Sequence, residues 1–280
     1  MAATPLGGAV FAGLGTRGGA TLVAFFLSST LLGRLPAARA IDQRRGNERD
    51  AIQIVANGGV AAALALASSA ARAGERPLLV AGFGGAVAAA AADTWATEIG
   101  SRSRTRPRSI VTLRSVDPGT SGAVTVAGLV ASVSGAALIA GLASAGSHRQ
   151  SGHGRSQVIS IVLGGFTGAL ADSFLGATVQ EVRFCDVCAR ETEHLVHICG
   201  APTRPIRGAS WCDNDRVNAI ATAVGAATAA AIHLVGRSST RRLRARRRAA
   251  CHMASRIQWS LLPYGPTSSS PCVIRYPGEH

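Results

Sequence analysis

Long uncharged apolar stretches alternate along the chain with short polar stretches that carry arginine. A helix needs about 20 largely apolar residues to cross the roughly 30 Å hydrocarbon core of a bilayer. Stretches of that length occur at 51–71, 77–97, 122–145, 158–177 and 217–235. An earlier one, 6–32, is interrupted by Arg17. There the pattern predicts one span over about 18–33, preceded by a segment that lies at the interface or forms a short hairpin half. Buried helices of soluble proteins keep a polar face, whereas 60–71 is uncharged all round. The expected fold is therefore all-α: a polytopic transmembrane helix bundle of about six spans.

Composition changes the picture in one respect. The chain of 280 residues is 47% hydrophobic but only 4% aromatic. A pool of Ala, Val, Leu and Gly suits helices whose backbones approach closely. The first basic residue is Arg17, inside the apolar region, so no cleavable signal peptide is expected. The predicted organisation is a transmembrane domain over 1–236, with a Cys/His-rich loop at 181–216, and an Arg-rich disordered tail over 237–280.

The net charge is +14, and no Lys occurs among the 29 basic residues. This excludes a P-loop lysine, a Schiff-base lysine and a Ser-Lys dyad; phosphate would be held by Arg, backbone N–H groups or a metal ion. Arginine gathered in the loops between spans follows the positive-inside rule and calls for no nucleic acid partner. Three loops, 35–50, 101–121 and 181–216, are Arg-rich, and the two opposite ones are Arg-poor. The three long loops are thus expected in the cytoplasm. The Arg-rich tail after an even number of spans would fall on the other side. That conflict predicts either an extra N-terminal pass or a last helix that does not cross.

Polar groups inside spans are costly and are read as functional. Gln53 and Asn57 open the second span, and Asp93, Thr94, Thr97 and Glu98 close the third. Gly119, Thr120, Ser121 and Gly122 precede the fourth, Asp172, Ser173 and Gln180 end the fifth, and Asp213, Asn214, Asp215 and Asn218 open the sixth. Alternating helix direction puts all of these at one end of the bundle, in a carboxylate-rich pocket rimmed by Arg. Carboxylates and amides suit Mg²⁺, Arg suits phosphate, and the small residues 119–122, read as opening the fourth helix, offer backbone N–H groups to an anion. The same groups would equally coordinate a transported cation. Trp95 is expected to anchor the membrane interface.

Four of the six cysteines fall in the third loop. Cys185, Cys188, His197 and Cys199 form C-x2-C-x8-H-x-C, with His194 and Cys212 as substitutes. Two short-spaced ligand pairs suit a closed, structural Zn²⁺ site, giving a small zinc-knuckle-like loop; free thiols are the alternative.

Several stretches carry a resemblance: Phe25-Phe26-Leu27-Ser28-Ser29, Arg49-x3-Gln53-x3-Asn57-Gly58-Gly59, 92–100 (Ala-Asp-Thr-Trp-Ala-Thr-Glu-Ile-Gly), Pro118-Gly119-Thr120-Ser121-Gly122, Asp172-Ser173-x-Leu175-Gly176-Ala177-Thr178-x-Gln180 and Asn214-Asp215-x-Val217-Asn218. In this order they resemble the integral membrane family of transmembrane protein 19 and the plant phytyl-phosphate kinase, domain-of-unknown-function family ninety-two. The resemblance implies a multi-pass protein in the membrane lipid. Through the plant members it implies a kinase that converts an isoprenoid monophosphate to the diphosphate with a nucleotide donor. On that reading Asp93, Glu98 and Asp172 position metal or phosphate, with Asn57 and Asn218 as hydrogen-bonding partners and Arg49 as a phosphate clamp. Thr120, Ser121 and Asp215 complete the substrate-binding set. The competing classes are an ion-coupled transporter, which would need polar residues through the bilayer and an inverted repeat, and a non-catalytic membrane protein.

Overall fold

The structure, a computed structural model, describes residues 3–35, 51–145 and 154–260, with side chains described as far as residue 239. Six helices carry the fold: α1 (Ala3–Gly33), α2 (Ala51–Ala70), α3 (Arg76–Gly100), α4 (Val126–Ser144), α5 (Gly154–Thr178) and α6 (Asn214–Ser260). Each is long and apolar enough to cross a membrane, α6 over Asn214–Ser239. Among the described residues, strands occur only in the loops. β1 (Arg108–Ser109) pairs with β2 (Ala123–Val124), and β3 (Val182–Cys185) lies between β4 (Arg190–Thr192) and β5 (Arg204–Arg207), all antiparallel. The protein is a multi-pass integral membrane helix bundle.

The helix α1 folds back on itself. Gly15 has φ +64°, outside the helical range, and a side chain placed on Gly18 would collide with Val10 and Leu14. In a straight helix residues 10 and 18 would be about 12 Å apart. Residues 3–14 form a short arm, with Leu6 against Gly58 and Gly13 against the backbone of Ala65, so it runs in the same direction as α2. Residues 16–33, about 27 Å long at 1.5 Å per residue, return to the loop side, where Trp95 Nε1 donates to Ser28 Oγ at 3.3 Å. The short arm therefore alters the side of the N-terminus and leaves the direction of every later helix unchanged. Trp95, expected at the interface, packs against Gly135 of α4 and bonds Ser28 of α1.

The centre of the bundle is α3, whose residues from Ala81 to Ala92 are all buried. Against it α5 and α6 approach at three glycines. A Cβ on Gly85 would lie 2.4 Å from the Gly225 carbonyl oxygen, one on Gly164 would lie 2.5 Å from the same oxygen, and one on Gly225 would lie 2.8 Å from the oxygen of Gly85. In lipid, helix association relies on such close packing because apolar side chains gain little by leaving an equally apolar solvent. The loop-side ends of the helices also meet closely, Gly100 of α3 against Gly128 of α4.

The chain divides into two units, Met1–His233 and Leu234–His280. Within the second, where a disordered tail is expected, the helix assignment of α6 runs on to Ser260. Residues 261–280 lie outside the described part.

Candidate functional site

At the loop-side ends of α3, α4 and α5 lies a cavity of about 180 Å³. Asp93 and Thr97 border it from α3, Ser132 from α4, Asp172 and Ser173 from α5, and Asn214 from the first turn of α6. The loop between α3 and α4 supplies Thr120 and Ser121, and the segment after α5 supplies Gln180 and Glu193. The helices also contribute apolar side chains to the lining: Ala96, Leu129, Ala169 and Leu170. Such a volume is small beside the roughly 300–1,000 Å³ of cavities that enclose whole drug-sized ligands. It fits a head group rather than a complete nucleotide or lipid.

The charge of the lining is one-sided. Asp93, Asp172 and Glu193 contribute carboxylates, and among the described residues no Arg or His borders the cavity. The two nearby arginines with clear partners are committed to the backbone. Arg207 on β5 donates to the carbonyls of Gly176 (3.1 Å) and Ala177 (3.3 Å) at the end of α5 and to that of Ser121 (3.4 Å). Arg102 donates to the carbonyls of Leu32 and Leu35 at the end of α1 and pairs with Glu98 at 3.0 Å. Both satisfy helix C-terminal carbonyls and put positive charge at the negative end of the helix dipole.

The residues expected in one pocket divide accordingly. Asp93, Asp172, Thr120 and Ser121 converge on the cavity. Glu98 does not border it and instead pairs with Arg102 beside the end of α1. Asn57 donates to the Gln53 carbonyl on its own helix at 3.1 Å. Asn218 is buried on α6 and, like Asp215, does not border the cavity. Arg49 lies outside the described residues. Thr97, Ser173, Gln180 and Asn214, expected at this end of the bundle, border the cavity, and Ser132 and Glu193 do so without having been singled out for it.

Residues 119–122 do not open α4, which corrects the anion-binding reading of them. The helix starts at Val126 and is capped by Thr125, whose Oγ1 accepts from Gly128 N at 3.0 Å. The N–H groups of Thr120 and Ala123 are used within the loop, bonding the carbonyls of Asp117 and Thr120. What the glycines provide is proximity. Gly122 has φ +76° and its α-carbon lies so near Ser173 and Ala177 that a Cβ would collide with both. A side chain on Gly176 would meet Ser121 Oγ at 2.8 Å. The loop is thereby pressed onto the last turns of α5.

A hydrogen-bond chain joins this loop to the segment after α5. Ser121 Oγ donates to Gln180 Oε1 at 3.2 Å, and Gln180 Nε2 donates to Glu193 Oε1 at 2.8 Å. Gln180 is 2% exposed. Ser132, at 1%, borders the cavity with a hydroxyl that has no hydrogen-bond partner among the described residues.

Beyond Gln180 the three-stranded sheet brings Cys185, Cys188, His197 and Cys199 together, with their ligand atoms all within 4.8 Å of one another. Cys185 Sγ and Cys199 Sγ are 3.7 Å apart, and His197 Nδ1 is 3.2 Å from Cys199 Sγ. The edge of a tetrahedron with metal–sulfur bonds of about 2.3 Å is about 3.8 Å, so the spacing fits zinc. The His197 hydrogen bond, followed by a backbone hydrogen bond from Ala201, lowers the Cys199 thiol to about 6; Cys188, hydrogen-bonded to Cys199, is raised to about 11. His194 and Cys212 are not members of the cluster. The Cys212 thiol is raised, chiefly by burial.

The family described as integral membrane protein DUF92 matches residues 1–226. The chain is similar to Protein PGR of Arabidopsis thaliana, 31% identical over 226 residues, covering 73% of this chain and 77% of that protein. It is also similar to an uncharacterised membrane protein of Methanocaldococcus jannaschii, 35% identical over 103 residues, covering 35% of this chain and 40% of that one. No solved structure matches.

Proposed function

The chain belongs to the DUF92 family of integral membrane proteins, and from that premise we propose that it is a membrane-embedded kinase converting an isoprenoid monophosphate to the diphosphate with a nucleotide donor. The observation that carries the reading is the makeup of the cavity: carboxylates, hydroxyls and amides from helices and loops alike, the apolar side chains of Ala96, Leu129, Ala169 and Leu170 among them, and room for a head group. A phosphate carried on a lipid chain meets both kinds of side chain.

Lined by three carboxylates, with no basic side chain among the described residues that border it, the cavity repels a bare phosphate. Phosphate enters such a place with a divalent cation that outweighs the acidic charge. The oxygen donors of Asp93, Asp172, Thr120 and Ser121 fit Mg²⁺, a hard cation that binds through a few protein oxygens and shares the rest of its shell with phosphate. The unpartnered hydroxyl of Ser132 supports a polar occupant. When bound, Mg²⁺ neutralises charge on the transferring phosphoryl group.

The reaction makes few demands on side-chain chemistry. A terminal oxygen of the lipid monophosphate forms a bond to the γ-phosphorus as the bond from that phosphorus to the β,γ-bridging oxygen breaks, and the bond electrons leave with the nucleoside diphosphate. The attacking oxygen is already anionic, so no general base is required. The residues position and hold charge, which is what a loose phosphoryl transition state asks for. In this reading the Cys/His cluster holds structural zinc and fixes the segment that bears Glu193.

The test is a lipid-phosphate kinase assay on folded protein in detergent, with phytyl, farnesyl and geranylgeranyl monophosphates and a panel of nucleoside triphosphates. Diphosphate formation that Asp172→Asn abolishes is expected. No turnover with any pair, or cation flux into proteoliposomes that disappears in Asp172→Asn, overturns the reading.

A further inference from the structure

We propose that Glu193 is a positioning residue that acts through Gln180 to make the Ser121 oxygen a ligand for a divalent cation. This rests on the reading of the cavity as a cation site. The argument is one of donors and acceptors. An ionised carboxylate only accepts hydrogen bonds, so the Gln180 group 2.8 Å from Glu193 is the amide nitrogen. The amide oxygen then faces Ser121, and the 3.2 Å contact is made with the serine proton. Gln180 is buried, and of its two side-chain partners Glu193 is the one that fixes the orientation of its amide, since the Ser121 hydroxyl can either donate or accept.

With its proton turned to Gln180, the Ser121 hydroxyl has only lone pairs left for the cavity it borders. It is thereby a cation ligand rather than a donor to phosphate. A second hydroxyl bordering the same cavity, that of Ser132, is buried and has no partner among the described residues, which points to an occupant that the protein alone does not supply. Glu193 itself is exposed and belongs to the segment organised by the Cys/His cluster, between β4 and His197. The extramembrane segment thus determines the polarity of a hydroxyl in the cavity.

The experiment is Mn²⁺ binding to the full-length protein in detergent, read from the electron paramagnetic resonance of free Mn²⁺, for the unsubstituted chain, Glu193→Gln, Ser121→Ala, the double variant and Asp172→Asn. The amide of Glu193→Gln can offer Gln180 either a donor or an acceptor, which releases the Gln180 orientation. Each single change is expected to weaken Mn²⁺ about tenfold, the size usual for groups that orient a metal ligand. The double variant is expected to be no weaker than Ser121→Ala, because the Glu193 effect passes through Ser121. Effects that add, or unchanged Mn²⁺ affinity in Glu193→Gln, overturn the proposal while the cation site stands. Absence of any Mn²⁺ binding sensitive to Asp172→Asn removes the cation site and this proposal with it.

Discussion

At Gly85, Gly164 and Gly225 the backbones of α3, α5 and α6 touch with no side chain between them. Eight residues further along α3 and α5, at Asp93 and Asp172, the same helices stand apart around a polar cavity that α6 reaches with Asn214. Eight residues are about 12 Å of helix. Over that distance the bundle changes from backbone contact without polar side chains to a space where carboxylates, hydroxyls and amides are arranged around an occupant. The close crossing fixes the helices at one level, and at the open end the contacts are made around the cavity, between Gly100 and Gly128 and between Gly122 and the last turns of α5. Substitutions at the two levels should therefore damage different properties.

The sharpest separation is expected from Gly85→Val. Its Cβ would lie 2.4 Å from a backbone oxygen that cannot rotate away. Overpacking ordinarily costs about 1–3 kcal/mol, and a backbone obstacle puts this change at or above the upper end; size-exclusion profiles of detergent extracts should show no folded protein. Asp172→Asn should do the reverse, lowering turnover by about a hundredfold or more, as for other groups that hold transition-state charge. Its thermal unfolding midpoint in detergent should stay close to that of the unsubstituted protein. A large loss of stability there would mean that the cavity also holds the bundle together.

Cys185→Ser should remove bound zinc, measured by elemental analysis, and lower activity by about tenfold through the loss of order around Glu193. The bundle should remain folded, since the cluster lies in the loop after α5. The smallest effect is expected from Arg102→Ala, which frees the carbonyls of Leu32 and Leu35. Hydrogen bonds to charged groups contribute about 1.5–3 kcal/mol, but this arginine is partly exposed, so a loss of about 1 kcal/mol in unfolding is expected, with Mn²⁺ affinity unaltered.

The positions of the spans were legible in the sequence because an apolar stretch of bilayer length is a local property. Convergence of Asp93, Asp172, Thr120 and Ser121 was legible as well, because alternating helix direction alone brings those ends together. The exclusion of Glu98 follows from rotation: five residues turn a helix by about 140° past a full circle, which takes Glu98 away from Asp93 and toward α1. The fold at Gly15 was foreseen only as one option, since 6–32 is apolar on both sides of the turn and only a positive φ marks it. Asn214 was legible as a polar residue opening the sixth span, whereas Glu193 carried no signal. It is a polar residue among polar residues, and its place depends on strand pairing and loop packing that no periodicity encodes. The start of α4 at Val126 rather than at 122 likewise depended on Thr125 acting as the cap.

Interlocked glycine backbones also bear on movement. Three helices in direct main-chain contact have little slack for sliding or tilting against one another, so on the proposed kinase reading α3, α5 and α6 are expected to travel as one stiff body. Opening and closing around a bound head group then falls to the segments outside that body, the hairpin after α3 and the sheet after α5, and it is there that a conformational probe should report turnover.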